Sequence, residues 1–302
     1  MRLYTYRKDV NGPMMVGVGN IEGTAVKSIE ELDLSYTSMN DLIDHATEAE
    51  WEVLRQAVQE ASTQKESSDF IALSDVVLCA PIPCPKQDMI CLGINYMEHA
   101  VESARYKAEA FGGERPFAVY FSKRVGEAVA DGGVIPAYEG LVDSLDYEAE
   151  FAVVIGKDAK NVAEEDVYDY LLGYTIINDV SARNLQTRHK QWYFGKGLDG
   201  FTPMGPCIVT KEEFAWPPHV PVRSYVNGEL RQNGNTNQLI FDVAHVVSEL
   251  SQGMTLKAGT IIATGTPAGV GMGFVPPNFL KKGDEVICEI PGIGRITNVV
   301  GE

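Results

Sequence analysis

One run constrains this chain more than any other: Asp146-Tyr147-Glu148-Ala149-Glu150-Phe151-Ala152-Val153-Val154-Ile155. Along a β-strand, side chains alternate between faces. Glu148 and Glu150 then share one face, while Ala149, Phe151, Val153 and Ile155 share the other. Two carboxylates side by side against so apolar a strand repel each other, and a hard cation between them removes the penalty. A solvated strand face would also accommodate them, because acidic side chains are mostly exposed. A second acidic position narrows the choice. Ile176-Ile177-Asn178-Asp179 puts Asp179 at the end of another apolar strand, with Ser181 placed to N-cap a helix that follows. Three carboxylates with no nearby Cys or His mean all-oxygen ligation, which suits Mg²⁺ or Mn²⁺ and fits zinc poorly.

A third segment, Gly93 to Glu102, supplies a candidate acid–base pair. His99 and Glu102 lie three residues apart, so one helical turn brings them together. Glu102 would then orient and polarise His99. A surface ion pair on an ordinary helix has the same spacing. The polar residues 103–115, with Gly112-Gly113, read as a lid.

The rest of the pattern predicts a β-rich α+β fold. Segments 2–7, 14–19 and 23–28 read as short strands and 48–62 as a helix with Trp51, Leu54, Val58 and Ala61 on one face. Pro81, Pro83 and Pro85 form a stiff connector. This predicts a small N-terminal α+β domain over residues 1–85 and a catalytic domain over 86–302. In the second part, strands are expected at 90–92, 117–121, 151–155, 174–177 and 207–210. Asn227-Gly228 is expected to turn a hairpin between Val222–Val226 and Glu229–Gln232. Helices are expected at 163–171, 182–190 and 242–252. Strands and helices do not alternate regularly, which argues against a doubly wound sheet or a TIM barrel.

Charge bears on partners. Acidic residues number 42 against 25 basic, a net charge of −17. Such a surface repels phosphate backbones, so no nucleic-acid partner is expected. It also repels anionic substrates at long range, so an anionic substrate needs a strong local positive feature such as a metal ion. No run reaches the roughly 18 apolar residues of a membrane span. With no signal-like N-terminus, a cytoplasmic location is expected. Cys79, Cys84, Cys91, Cys207 and Cys288 form no C-x-x-C pair and read as reduced core thiols. The glycine-rich stretch from Gly265 to Gly273 resembles a phosphate cradle, but no Lys-Ser/Thr follows it.

The order of motifs resembles the fumarylacetoacetate hydrolase family over residues 86–300. Its elements are Gly93-x-Asn95-Tyr96-x-x-His99-x-x-Glu102, Asp146-Tyr147-Glu148-x-Glu150, and Asn178-Asp179-x-Ser181-Ala182-Arg183-x-x-Gln186. Pro203-Met204-Gly205-Pro206 and Thr264-Gly265-Thr266-Pro267-x-Gly269-Val270-Gly271 complete them. The chain is most similar to bacterial members of about this length, of the oxaloacetate decarboxylase and acylpyruvate hydrolase types. The resemblance implies a mixed β-sandwich roll, a homodimer, and Mg²⁺ or Mn²⁺ held by Glu148, Glu150 and Asp179. It implies a catalytic group of His99, Glu102 and Lys196, with Lys123, Gln186, Gly265 and Thr266 at the substrate. Larger members supply a further aspartate to the metal before the lid histidine; here Asn95 and Tyr96 stand there, which points to smaller 2-oxo acids. The implied activity is C–C cleavage of a small anionic 2-oxo acid through a pyruvate enolate, as a hydrolase or a decarboxylase. A 2-hydroxydienoate-type isomerase is the nearest alternative. A binding or regulatory protein on the same fold is the alternative of a different class.

Overall fold

The computed structural model describes residues 1–63, 69–107 and 117–302. Among these residues the strands form an 11-stranded sheet, a 5-stranded sheet and a two-stranded ladder. The centre of the large sheet is Ala149–Ile155, paired antiparallel with Leu171–Asn178 on one side and Ile261–Ala263 on the other. Ile261–Ala263 in turn runs parallel to Met89–Gly93. The fold is mixed and strand-rich, as the sequence pattern predicts.

Alternation on the central strand divides the core in two. Phe151, Val153 and Ile155 join Tyr174 and Val209 on the face that meets Val222, Val286 and Ile296 of the 5-stranded sheet. Ala152 and Val154 point the other way and join Ile177 and Ile208 against Leu42, Leu54 and Val58 of the N-terminal helices. Every residue of Ala149–Ile155 is buried, because both faces of the strand are covered. Burial of each large apolar side chain there contributes about 1.5–3 kcal/mol.

The N-terminal strands arise at the expected places: Arg2–Arg7, Met15–Gly19 and Ala25–Ser28. Arg2–Arg7 also pairs with Met204–Thr210, with Leu3 opposite Ile208. The sheet therefore runs on across the expected boundary at residue 85. The proline connector is bonded along its length, with Thr5 Oγ1 donating to the Pro81 carbonyl and Ala128 N to the Pro83 carbonyl, each at 2.7 Å.

The hairpin forms as expected between Pro221–Val226 and Glu229–Asn235. Asn227 and Gly228 both have positive φ, 51° and 78°, which the two-residue turn requires. Three local expectations need correction. The segment expected as a helix over 163–171 is a 3₁₀ helix, Glu164–Tyr170, with Val167 as its one buried residue. Ser181 is not an N-cap. Its backbone pairs with Asp146, its hydroxyl donates to the Asp179 carbonyl, and the helix Arg183–Arg188 starts after Ala182 with no side-chain cap. All five cysteines are free, but only Cys91, Cys207 and Cys288 are buried. Most of the segment read as a lid, 108–115, lies outside the described residues. No helix among the described residues is long and apolar enough to cross a membrane.

Candidate metal and acid–base site

Strand register brings the three acids together. Ala149 pairs with Asn178, so the next step outward sets Glu148 beside Asp179. That corner is bonded tightly: Asp179 N donates to the Glu148 carbonyl at 2.8 Å, and Glu148 N donates to Asn178 Oδ1 at 3.0 Å. Two residues along the same face is Glu150, whose Oε2 accepts from Gly265 N at 2.9 Å. Glu148, Glu150 and Asp179 each offer an oxygen within 4.8 Å of the others. They are not solvated: their exposures are 6%, 1% and 0%.

Buried cations answer the charge. Lys196 Nζ lies 2.8 Å from Glu148 Oε2 and 2.5 Å from Asp179 Oδ2. Lys123 Nζ lies 2.7 Å from Asp179 Oδ1 and also donates to the Val180 carbonyl. Arg183 Nη2 lies 2.7 Å from Glu148 Oε1. Lys196 reaches in because Gly195 has no side chain; a Cβ there would meet Gln186 N at 2.5 Å.

These contacts split the two glutamates. Burial pushes the Glu148 carboxyl up, but Lys196 and Arg183 outweigh it and hold the group down to about 2. Burial, with Asp179 and Glu148 close by, pushes the Glu150 carboxyl well above the ordinary carboxylate range. For Lys196, burial pulls down and the Asp179 and Glu148 charges pull up harder, so its ammonium is held more firmly than usual. Burial lowers Lys123.

The donor set fits a hard divalent ion. Glu150 Oε1 is buried and has no hydrogen-bond partner, and such an orphaned acceptor is costly unless something charged meets it. Each carboxylate oxygen that already accepts from a lysine keeps a further lone pair. All-oxygen ligation by three carboxylates suits Mg²⁺ or Mn²⁺.

His99 and Glu102 stand on the helix Met97–Lys107. His99 Nδ1 and Glu102 Oε2 are 2.8 Å apart and both side chains are nearly buried, at 6% and 13% exposure. Glu102 Oε1 accepts from Gly269 N at 3.0 Å. His99 and Glu148 line one cavity of about 550 Å³, together with Lys196, Phe121, Trp192 and Met272, while Glu150 and Asp179 are not among its lining residues. Trp192 lies over Gly93, where a Cβ would meet the indole at 2.2 Å. A larger groove of about 900 Å³ runs between the N-terminal helices and the sheet. It holds none of the three acids, and its Lys86 and Lys257 are paired with Asp44 and Asp158.

The expected residues fall into two groups. His99, Glu148, Lys196 and Gln186 line the cavity. Gln186 Oε1 accepts from Arg183 Nη1 at 3.1 Å. Lys123, Gly265 and Thr266 stand behind the carboxylates. Lys123 is fully buried against Asp179. Thr266 Oγ1 donates to the Ala149 carbonyl and accepts from Gln232 Nε2. Several contributors had been given no site role from the sequence. Asn95 Nδ2 ties the Thr264 and Phe241 carbonyls together, each at 2.9 Å. Trp192 and Met272 form cavity wall. Asp146, the first residue of the acidic motif, accepts from four donors. Its place in that motif was the available signal.

Comparison with known proteins agrees with this architecture. The family model described as fumarylacetoacetate hydrolase, C-terminal, matches residues 88–301. Oxaloacetate tautomerase YisK of Bacillus subtilis (strain 168) is 43% identical over 282 residues, covering 92% of this chain and 91% of that protein. Among solved structures, a fumarylacetoacetate hydrolase from psychrophilic Exiguobacterium antarcticum superposes with TM-score 0.81 at 36% identity, covering 100% of this chain and 99% of that one. The 2-hydroxyhepta-2,4-diene-1,7-dioate isomerase from Mycobacterium marinum gives TM-score 0.70 at 30% identity, covering 100% and 98%.

Proposed function

Because this chain belongs to the fumarylacetoacetate hydrolase family, we propose that it acts on a small 2-oxo acid by moving a proton between its keto and enol forms, with oxaloacetate the first substrate to test. One observation carries the reading: His99, bonded to Glu102, and Glu148, one of the three clustered carboxylates, line the same cavity. The name of the Bacillus subtilis relative supports the choice of substrate.

Glu148, Glu150 and Asp179 would hold Mg²⁺ or Mn²⁺, which supplies a Lewis acid for the substrate's carboxylate and 2-oxo oxygens as enolate charge develops. The protein does the rest. Lys196 and Arg183 bring positive charge to a site that the −17 net charge would otherwise make hostile to an anion. Gln186 donates its amide N–H to a substrate oxygen. His99 Nε2, the ring nitrogen not bonded to Glu102, takes the enol O–H proton and delivers it to C3 in the ketonising direction, and carries a proton from C3 back to that oxygen in the reverse. Glu102 stabilises the imidazolium in between. Trp192 and Phe121 exclude water from that side.

Cleavage of a C–C bond is the second reading, because it passes through the same enolate. A cavity of about 550 Å³ has room for an acyl group larger than a carboxylate. In that case His99 takes its proton from an attacking water. The test adds enzyme with Mn²⁺ or Mg²⁺ to enol oxaloacetate and follows both enol loss and pyruvate formation. The expected result is enol loss faster than with metal alone, reduced about 10²–10⁴-fold by His99→Ala. Pyruvate formed in step with enol loss would favour cleavage. No acceleration over metal alone, on oxaloacetate or on an acylpyruvate, would refute both.

A further inference from the structure

We propose that Asp146 is a positioning residue that holds the acid–base helix and the carboxylate centre in one register. It is fully buried and accepts four hydrogen bonds. Oδ1 takes Tyr147 N at 2.9 Å and Gly271 N at 2.7 Å; Oδ2 takes Met272 N at 3.0 Å and Arg183 Nε at 2.9 Å. Its two ends lead to the two halves of the site.

One end is the turn Gly271–Gly273. That turn seats Glu102. A Cβ on Gly273 would meet Glu102 Oε1 at 2.0 Å and Cδ at 2.3 Å, so the glutamate lies flush against bare backbone. Just before the turn, Gly269 N donates to the same Oε1 at 3.0 Å. The glycine-rich stretch that resembles a phosphate cradle is therefore a seat for a carboxylate of the protein itself. Glu102 cannot orient His99 unless the seat is in place.

The other end is Arg183. Its Nε is on Asp146 while its Nη2 is 2.7 Å from Glu148 Oε1. A guanidinium held edge-on by one carboxylate presents its remaining N–H groups in a fixed direction. Asp146 thereby aims Arg183, and Arg183 fixes the rotamer of Glu148. The geometry of the acid–base pair relative to the carboxylate trio is set by one buried side chain that touches neither substrate nor ion.

The inference rests on the proposed function only in taking the trio as a cation site, and its test uses no substrate. Mn²⁺ affinity and backbone amide exchange would be measured on the full chain and on three variants. Gly273→Ala fills the seat, so exchange across 97–107 should quicken about tenfold or more while the strand Ala149–Ile155 stays protected and Mn²⁺ binding is kept. Arg183→Lys breaks the other arm, because a lysine cannot bridge both carboxylates; Mn²⁺ affinity should fall about 10–100-fold with the helix still protected. Asp146→Asn turns an N–H₂ towards two N–H donors, and both effects should appear together. Should Asp146→Asn fail to fold, the other two variants still test each arm. Unchanged exchange over 97–107 in Gly273→Ala, a rise spread evenly over the whole chain, or unchanged Mn²⁺ affinity in Arg183→Lys would overturn the proposal. Wild-type protein that binds no Mn²⁺ would instead refute the cation site itself.

Discussion

Glu148 and Glu150 stand two residues apart on one face, yet their surroundings divide them. Glu148 is locked between Lys196 and Arg183 and stays ionised down to about pH 2. Glu150 has one backbone donor, an orphaned oxygen and two neighbouring carboxylates, so its proton is held well above the usual range. Their amide variants should therefore differ. Without metal, Glu148→Gln leaves Arg183 and Lys196 short of a buried counter-charge, and should cost roughly 3–5 kcal/mol. Glu150→Gln replaces a protonated acid by an isostere and should cost less than about 1 kcal/mol. Both should lose the ion. Thermal melts of the metal-free variants check this, and the reverse order would contradict it. The same asymmetry gives a pH dependence. Glu150 must release its proton to bind a cation, whereas Glu148 is already ionised. Below the raised Glu150 pKa, Mn²⁺ affinity should increase about tenfold per pH unit, and it should level off above that pKa. Titration calorimetry in buffers of increasing pH reads the slope, which a flat profile would rule out.

At the scale of elements, the decisive contact is the pairing of Arg2–Arg7 with Met204–Thr210. The first strand of the chain covers what would otherwise be the bare edge of Met204–Thr210, two strands from Ala149–Ile155. The N-terminal helices cover the face carrying Val154, Ile177 and Ile208. A chain limited to residues 86–302 would expose both an unpaired edge and that apolar face, a combination that favours aggregation. We expect such a fragment to be mostly insoluble, or to bind a hydrophobic dye if it is refolded. A monodisperse fragment with full Mn²⁺ affinity would instead mark residues 1–85 as a separate domain.

For the whole molecule, the −17 charge acts at long range while the buried lysines and arginine act locally. A dianionic substrate approaches against the global field and is drawn in only near the site. Salt screens the first effect more than the second. With metal saturating, kcat/KM for oxaloacetate should therefore rise, by about twofold or more, between low salt and physiological ionic strength. Stopped-flow rates across a salt series test this, and a steep fall would mean that local attraction dominates the encounter. The homodimer that the resemblance implies would show in light scattering as twice the chain's 33.0 kDa.

The sequence alone placed Glu148 and Glu150 on one face, joined His99 to Glu102 across one turn and located the Asn227-Gly228 hairpin. Each of these is settled by backbone geometry within a few residues, where strand alternation, helical rise and turn dihedrals leave little freedom. Its place at the end of an apolar strand marked Asp179 as the third acid, and the motif order carried Lys196 and Gln186 to the site through the family resemblance. Folding in three dimensions decided the remainder. Asp179 meets Glu148 only because two apolar strands pair in one register. Lys123, Gly265 and Thr266 lie behind the carboxylates because the strands around them are covered on both faces. Asp146 gathers donors from residues 147, 183, 271 and 272. Such meetings depend on how apolar faces pack across more than a hundred residues of chain, and no local periodicity encodes them.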